Sequence, residues 1–406
     1  MKLLTALAAT TALIVTASPA KADIVVDWAE FARTVRSADN TPWSPERHHI
    51  EVQFALAMFE AANAIDPEFE SFLGMEPVEG EASSDAAVMT AARDVLLAFY
   101  PSRSQDIEYS YELALSMIEE GEAKQRGIET GAAAAAAALA MQATRDGASA
   151  SPYRPLTTPG TWVPVRLPVF PDEYAIVTTW SFDDYEELMP PPPPELTSET
   201  WARDFNEVKD LGGRESESRT SVQSRIARYR ITPVIIPILR SIADMPGRTT
   251  VQNARLLALV NIAGNDTGTV TGLAKLRYNF WRPITAIRNA DEDDNPATDI
   301  DPAWRPYIGT PNHPEYPCAH CSWTAAVAEI FKAEVGNAPE GGVQVGSRSL
   351  DYATIQVLPT FDQWVEEVSF SRILGGVHYR FSNDAGEELG RDVAERTLTL
   401  LPPLED

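Results

Sequence analysis

Segments of helical composition, each bounded by a cap, a glycine or a proline, follow one another from residue 47 to residue 400, and no strand pattern alternates with them. That succession argues against a parallel βαβ architecture and for helices packed on helices. Residues 47–64 run without a breaker, and Ser84 caps an apolar-periodic run that stops before Pro101. Residues 103–119 and 131–143 continue the series. The tract Ala132–Ala138 reads as packed helix, because alanine is the best helix former. Residues 197–211 end at Gly212-Gly213. Thr220-Ser-Val-Gln223 reads as a capping box opening a helix that Pro233 and Pro237 kink or end. Runs at 250–264, 270–281, 321–336, 361–377 and 384–400 complete a second set. Residues 147–196, with Pro190–Pro194, interrupt the pattern as an irregular connection. The expected class is all-α, with two packed helical bundles, 23–146 and 197–406, joined by that proline-rich belt.

Met1–Ala22 has the make-up of a secretory leader, with Lys2, the apolar stretch Leu3–Val15 and the small-x-small site Ala20-Lys21-Ala22. The expected product is exported, to the periplasm or beyond, with no membrane anchor, since no later apolar run reaches spanning length. An oxidising compartment lets Cys318 and Cys321 pair. With 44% hydrophobic residues the chain has material for a core, and a formal charge of −26 opposes binding to nucleic acid or anionic lipid.

The chemistry gathers in three segments of the second half. In Lys275-Leu-Arg-Tyr-Asn-Phe-Trp-Arg282-Pro283, two cations seven residues apart would share one face of a helix, beside Phe280 and Trp281, which look buried. Solvated surface charge is the usual meaning of such a pair, but lysine is scarce here, six against 27 arginines. The second segment is His313-Pro-Glu-Tyr-Pro317-Cys318-Ala319-His320-Cys321, followed by a helix-like run whose N-terminal N–H groups favour an anion. His320 beside that anion would move protons near neutral pH. The third is Ser371-Arg372, then Gly375-Gly376, then His378, with Ser382 and Asp384 downstream. The glycine pair permits close approach of a helix or a ligand. Three of the five histidines fall in the last two segments, which lowers the odds that they are ordinary core or surface residues. Lys275, Arg282 and Arg372 with two histidines make an oxyanion site, arginine offering paired donors and lysine a point charge.

The order K-x6-RP, P-small-small-H and SR-x5-H resembles the vanadium-dependent haloperoxidase and type 2 phosphatidic-acid phosphatase superfamily. The gaps agree, with 33 residues between Pro283 and Pro317 and 50 between His320 and Ser371. The stretches NFWRPITAIR, PEYP and GGVHYRFSNDAGEELG look like the haloperoxidase branch. The resemblance implies vanadate held through His378 Nε2, with Lys275, Arg282 and Arg372 neutralising its oxygens. It implies that Cys318 and the Ala319 N–H stand where the family has serine and glycine donors. His320 would be the acid–base residue, and Lys275 would polarise hydrogen peroxide bound at vanadium for attack by a halide. The product would halogenate small organic compounds. His313, seven residues before His320, leans toward bromide or iodide, against the plain reading that it starts a turn. The family's aspartate, four residues after the ligand histidine, is Ser382 here, so Ser382 or a backbone carbonyl is expected to orient His378, while Asp384 caps the last helix.

Other readings stay open. The same pocket suits a periplasmic acid phosphatase in which His378 attacks phosphorus and His320 protonates the leaving group. Cys318-Ala-His-Cys321 also has the spacing of a thiol–disulfide site, without the βαβ surroundings. A structural disulfide is awkward for residues three apart on a regular helix. A non-catalytic oxyanion binder is the remaining reading. The oligomeric state is not legible in the sequence.

Overall fold

The computed structural model describes residues 23–39, 45–141, 156–167, 179–349 and 354–405; the leader Met1–Ala22 and part of the proline-rich connection lie outside them. The first half contributes α1 (Ile24–Asp39), α2 (Pro45–Ile65), α3 (Ser84–Phe99), α4 (Ser104–Leu115) and α5 (Glu122–Ala140). The cap of α3 is Ser83, one residue before the expected serine, its hydroxyl accepting from the Ala86 N–H. Helix α5 begins well upstream of the alanine tract, and α1 was not expected at all.

The second half contributes α6 (Glu199–Gly212), α7 (Ser221–Tyr229), α8 (Ile236–Ala243), α9 (Thr250–Tyr278), α10 (Pro283–Arg288), α11 (Ala319–Val335), α12 (Phe361–Leu374) and α13 (Arg380–Thr397). The capping box at Thr220 and Gln223 is present, and Thr249 with Gln252 forms a second one at the start of α9. Helix α9 runs unbroken where two shorter helices were expected. Gly264-Asn265-Asp266-Thr267-Gly268 is weak helix-forming sequence, but α9 packs against α2 as well as α11 and α13. Tertiary burial outweighs propensity there. The buried Asp266 carboxylate also accepts the Trp180 and Ser181 N–H groups and the Ser181 hydroxyl, tying the connection to the helix.

A small antiparallel sheet, not expected from the sequence, joins β1 (Pro233–Val234), β2 (Val343–Ser347) and β3 (Ile355–Leu358) in that order. Pro233 thus opens an edge strand, where its missing N–H is tolerated, and Pro237 lies in the first turn of α8, so the two prolines separate elements rather than kink one helix. One apolar core runs through both halves, from Phe59 on α2 through Leu256 on α9 to Phe331 on α11 and Trp364 on α12. Full burial of each such side chain contributes roughly 1.5–3 kcal/mol. No helix among the described residues is long and apolar enough to cross a membrane.

Candidate active site

Lys275 sits in the last turn of α9, and the helix stops two residues before Trp281 because Asn279 takes a left-handed conformation (φ 43°). Arg282 is the N-cap of α10, with Pro283 at its first position. The two cations therefore meet through a turn, not across one helix face as the spacing suggested. Phe280 and Trp281 are buried as expected and pack with Trp201, Tyr379 and Phe381 into an aromatic cluster behind the turn.

The loop ending at Pro317, which follows a cis peptide bond, turns its carbonyls toward these cations. The Lys275 ammonium donates to Pro314 O (3.2 Å), to Glu315 O (2.7 Å) and to Pro317 O. Burial and then Arg282 push Lys275 well below its usual basicity. Three carbonyl acceptors nevertheless demand three N–H donors, which only the ammonium has. Its contribution to an anion is therefore charge rather than a free hydrogen bond.

Arg282 donates through Nε to His313 O (3.0 Å) and through Nη1 to Val377 O (2.7 Å). Nη1 also reaches His378 Nε2 (3.1 Å), and Nη2 reaches His313 Nδ1 (3.1 Å). A guanidinium only donates, so His378 Nε2 carries a lone pair. His313 Nδ1 lies between Arg282 Nη2 and the Pro314 carbonyl (3.0 Å), which places its ring beside Arg282. Burial, then Arg282 and Lys275, hold His313 and His378 well below the usual imidazole range, so both are neutral.

Arg372 comes from the last turn of α12 and is buried, with Nε and Nη1 meeting no acceptor among the described residues. Burial, then Arg282, brings it down to about 9, so it stays charged at neutral pH. The following Gly376 has φ 76°, and a Cβ there would lie 2.3 Å from Gly212 O. The glycine pair therefore serves close packing against the end of α6, which aims the chain from Arg372 to His378.

Cys318 is the N-cap of α11 with extended backbone (φ −70°, ψ 107°). That non-helical residue resolves the awkward spacing, and Cys318 and Cys321 form a disulfide with Cα atoms 5.3 Å apart. The bridge corrects one expectation: Cys318 Sγ has no hydrogen to give an oxyanion, and its N–H already donates to Ser382 O. The N–H groups of Ala319 and His320 find no acceptor among the described residues, as the first turn of a helix allows. His320 donates through Nε2 to Ile231 O (2.9 Å), which leaves a lone pair on Nδ1. Desolvation, then Arg372, takes His320 down to about 3. His313, Ala319 and His320 are partly exposed, while Lys275, Arg282, Arg372 and His378 are buried beneath them.

Two expectations about the neighbours of His378 are overturned. Its Nδ1 donates to Glu315 Oε1 (2.7 Å), not to Ser382, whose hydroxyl finds no partner within hydrogen-bonding geometry. Asp384 lies inside α13, whose N-cap is Tyr379. Glu315 is the residue sequence reasoning passed over. Its one signal was an acidic residue between two prolines in a stretch otherwise expected to be buried.

Residues 255–402 match the VCPO second helical-bundle domain. The vanadium chloroperoxidase of Curvularia inaequalis is 33% identical over 89 residues, 20% of this chain and 14% of that protein. In this part of its second half the chain is therefore similar to vanadium haloperoxidases. A vanadium-dependent bromoperoxidase of Ascophyllum nodosum is 28% identical over 125 residues, 28% of this chain and 22% of that one. The chain thus spans less than a quarter of the length of either of these relatives. In fold it is similar to the structure of a bacterial vanadium-dependent iodoperoxidase (TM-score 0.72, 20% identity, 95% of this chain and 97% of that one). It is also similar to a bacterial vanadium-dependent chloroperoxidase (TM-score 0.67, 16% identity, 89% and 94%).

Proposed function

We propose that this protein is a vanadium-dependent haloperoxidase that uses hydrogen peroxide to oxidise bromide or iodide for transfer to small organic compounds. One observation carries the reading: the buried Arg372 guanidinium keeps two donors without acceptors, beside two further buried cations. A charged, buried donor pair without acceptors among the described residues calls for acceptors from outside the chain, and an anion with several oxygens supplies them. The residues present fit vanadate. His378 Nε2 offers the lone pair, Arg372 and Arg282 the donors, the Ala319 N–H a further donor, and Lys275 a fixed charge.

Bound vanadate supplies a Lewis-acidic centre that activates peroxide toward halide. The protein's part is to hold that anion and to move protons. Arg282 must redirect Nη1 from His378 Nε2 to an oxygen as the anion arrives. His320, neutral and with Nδ1 unprotonated, would accept and give back a proton at Nδ1 beside that anion. An anion cancels part of the charge of Arg372 and Arg282, which raises the basicity of His320 toward the useful range. His313, tied to Arg282, supports the bromide or iodide preference by its place at the partly exposed rim. The Cys318–Cys321 bridge and the leader composition support an exported protein.

The test is a dye-halogenation assay on purified protein with peroxide and bromide or iodide, with and without added vanadate. Activity that requires vanadate and vanishes in His378→Ala is expected. Equal turnover without vanadate defeats the proposal. Vanadate-inhibited phosphate release from a phosphomonoester, without halogenation, would replace it with phosphoryl transfer.

A further inference from the structure

We propose that Glu315 is the positioning residue of this site, holding the Nδ1 proton and the ring orientation of His378. The inference rests on reading His378 as the oxyanion ligand. A ligand imidazole must keep a lone pair on the nitrogen that faces its partner, and the hydrogen bond at the other nitrogen decides this. In this chain the two nitrogens are held from opposite sides. Arg282 Nη1 donates toward Nε2 (3.1 Å), and Glu315 Oε1 accepts from Nδ1 (2.7 Å).

The carboxylate is itself held in place. Its Oε1 also accepts the Tyr379 N–H (3.2 Å), the residue after the ligand, and the Glu315 N–H donates to Phe280 O (2.9 Å). A carboxylate present only to neutralise cations would meet them directly. Lys275 instead gives its donors to backbone carbonyls, including that of Glu315, while the carboxylate turns to His378.

The companion observation is at Ser382. Its hydroxyl and Glu315 Oε2 are both buried, and among the described residues neither has a partner within hydrogen-bonding geometry. Serine at this position leaves room for the glutamate, and two carboxylates here would repel each other in a buried site. The acidic group that meets Nδ1 therefore comes from the loop before α11 and not from α13.

This placement makes the test. Glu315→Ala, Glu315→Gln and the double variant Glu315→Ala/Ser382→Asp are compared with the unaltered protein by ¹⁵N NMR of the His378 ring without vanadate, and by vanadate titration calorimetry. Because Arg282 still faces Nε2 in Glu315→Ala, that variant is expected to keep the Nδ1 proton but to lose the low-field Nδ1–H signature of its carboxylate bond, and to bind vanadate about 10- to 100-fold more weakly. Ser382→Asp should restore both in the double variant, which a merely structural glutamate would not allow. Should Glu315→Ala fail to fold, Glu315→Gln keeps the shape and an acceptor oxygen without the charge. It is expected to keep the Nδ1–H signature with weaker vanadate binding. Unchanged signature and affinity in Glu315→Ala, or vanadate affinity unchanged in Glu315→Gln, or a folded double variant that recovers neither property, overturns the proposal. A hydrogen-bonded Nδ1–H signature that follows the carboxylate in a protein that binds no vanadate would uphold this inference and sink the haloperoxidase reading, so the two failures are distinguishable.

Discussion

Arg372 concentrates the conflict between stability and binding at this site. Its buried donors lack acceptors, and its charge lies near that of Arg282, so the anion-free protein carries the cost of an unmatched buried cation. Arg372→Met is therefore expected to leave the anion-free protein as stable or more stable in urea unfolding. The same variant should bind vanadate or phosphate about 10- to 100-fold more weakly, the loss of a charge-assisted hydrogen bond or two. A variant that loses stability and keeps its affinity would show that Arg372 has a purely structural role. His320 gives a sign to the pH dependence. In the folded anion-free protein it sits near 3, against an ordinary value of 6.5. Between those two values the unfolded chain binds a proton that the folded one does not. The His320 contribution to stability is thus intact above about pH 6.5 and falls away as the pH drops toward 3.

Among the elements, the pair α11 and α13 sets the position of the Cys318–His320 turn. The approach is made possible by glycines on α13: a Cβ on Gly386 would lie 2.6 Å from Cys318 O, and one on Gly390 would lie 2.1 Å from Ser322 O. Gly386→Ala must therefore push the start of α11 away from α13. The expected cost is about 1–3 kcal/mol in chemical unfolding, with weaker vanadate binding in the same sample. Normal affinity in the destabilised variant would separate the α11 turn from the anion site. The pairing of these helices was not legible beforehand. Helical periodicity shows that residues 384–400 form a helix, but not which of its faces meets α11.

Across the whole molecule, α9 links the two halves, packing against α2, α11 and α13, and carries Lys275 in its last turn, just before the turn that leads to Arg282. Asp266, in the middle of α9, also gathers the Trp180–Ser181 segment of the connection. Burial raises its carboxyl to about 6, against the stabilising hydrogen bonds from Ser181 and Trp180. Asp266→Ala would leave those N–H groups without their acceptor, and a loss of about 1–3 kcal/mol in urea unfolding is expected. Trp180 stacks on His49 (4.7 Å between ring centroids), so its fluorescence reports whether the segment has detached. An unchanged midpoint and spectrum would mean that the connection holds without this anchor.

The sequence alone determined the class of the fold, because helical periodicity, caps and breakers act within a few residues of one another. It also determined which charged groups are available and in what order, and these residues do gather in one place. Only the tertiary structure decided which donors remain open to an anion. Arg282 finds its partners 31 and 96 residues along the chain, Lys275 about 40 away, and His378 finds Glu315 63 residues back. A buried polar group bonds to whatever acceptor folding brings within 3 Å, and linear spacing carries no record of that choice. For this reason Lys275 proved committed to carbonyls, Cys318 to a disulfide, and the hydrogen bond at His378 Nδ1 expected of Ser382 on α13 fell to Glu315 on the loop before α11.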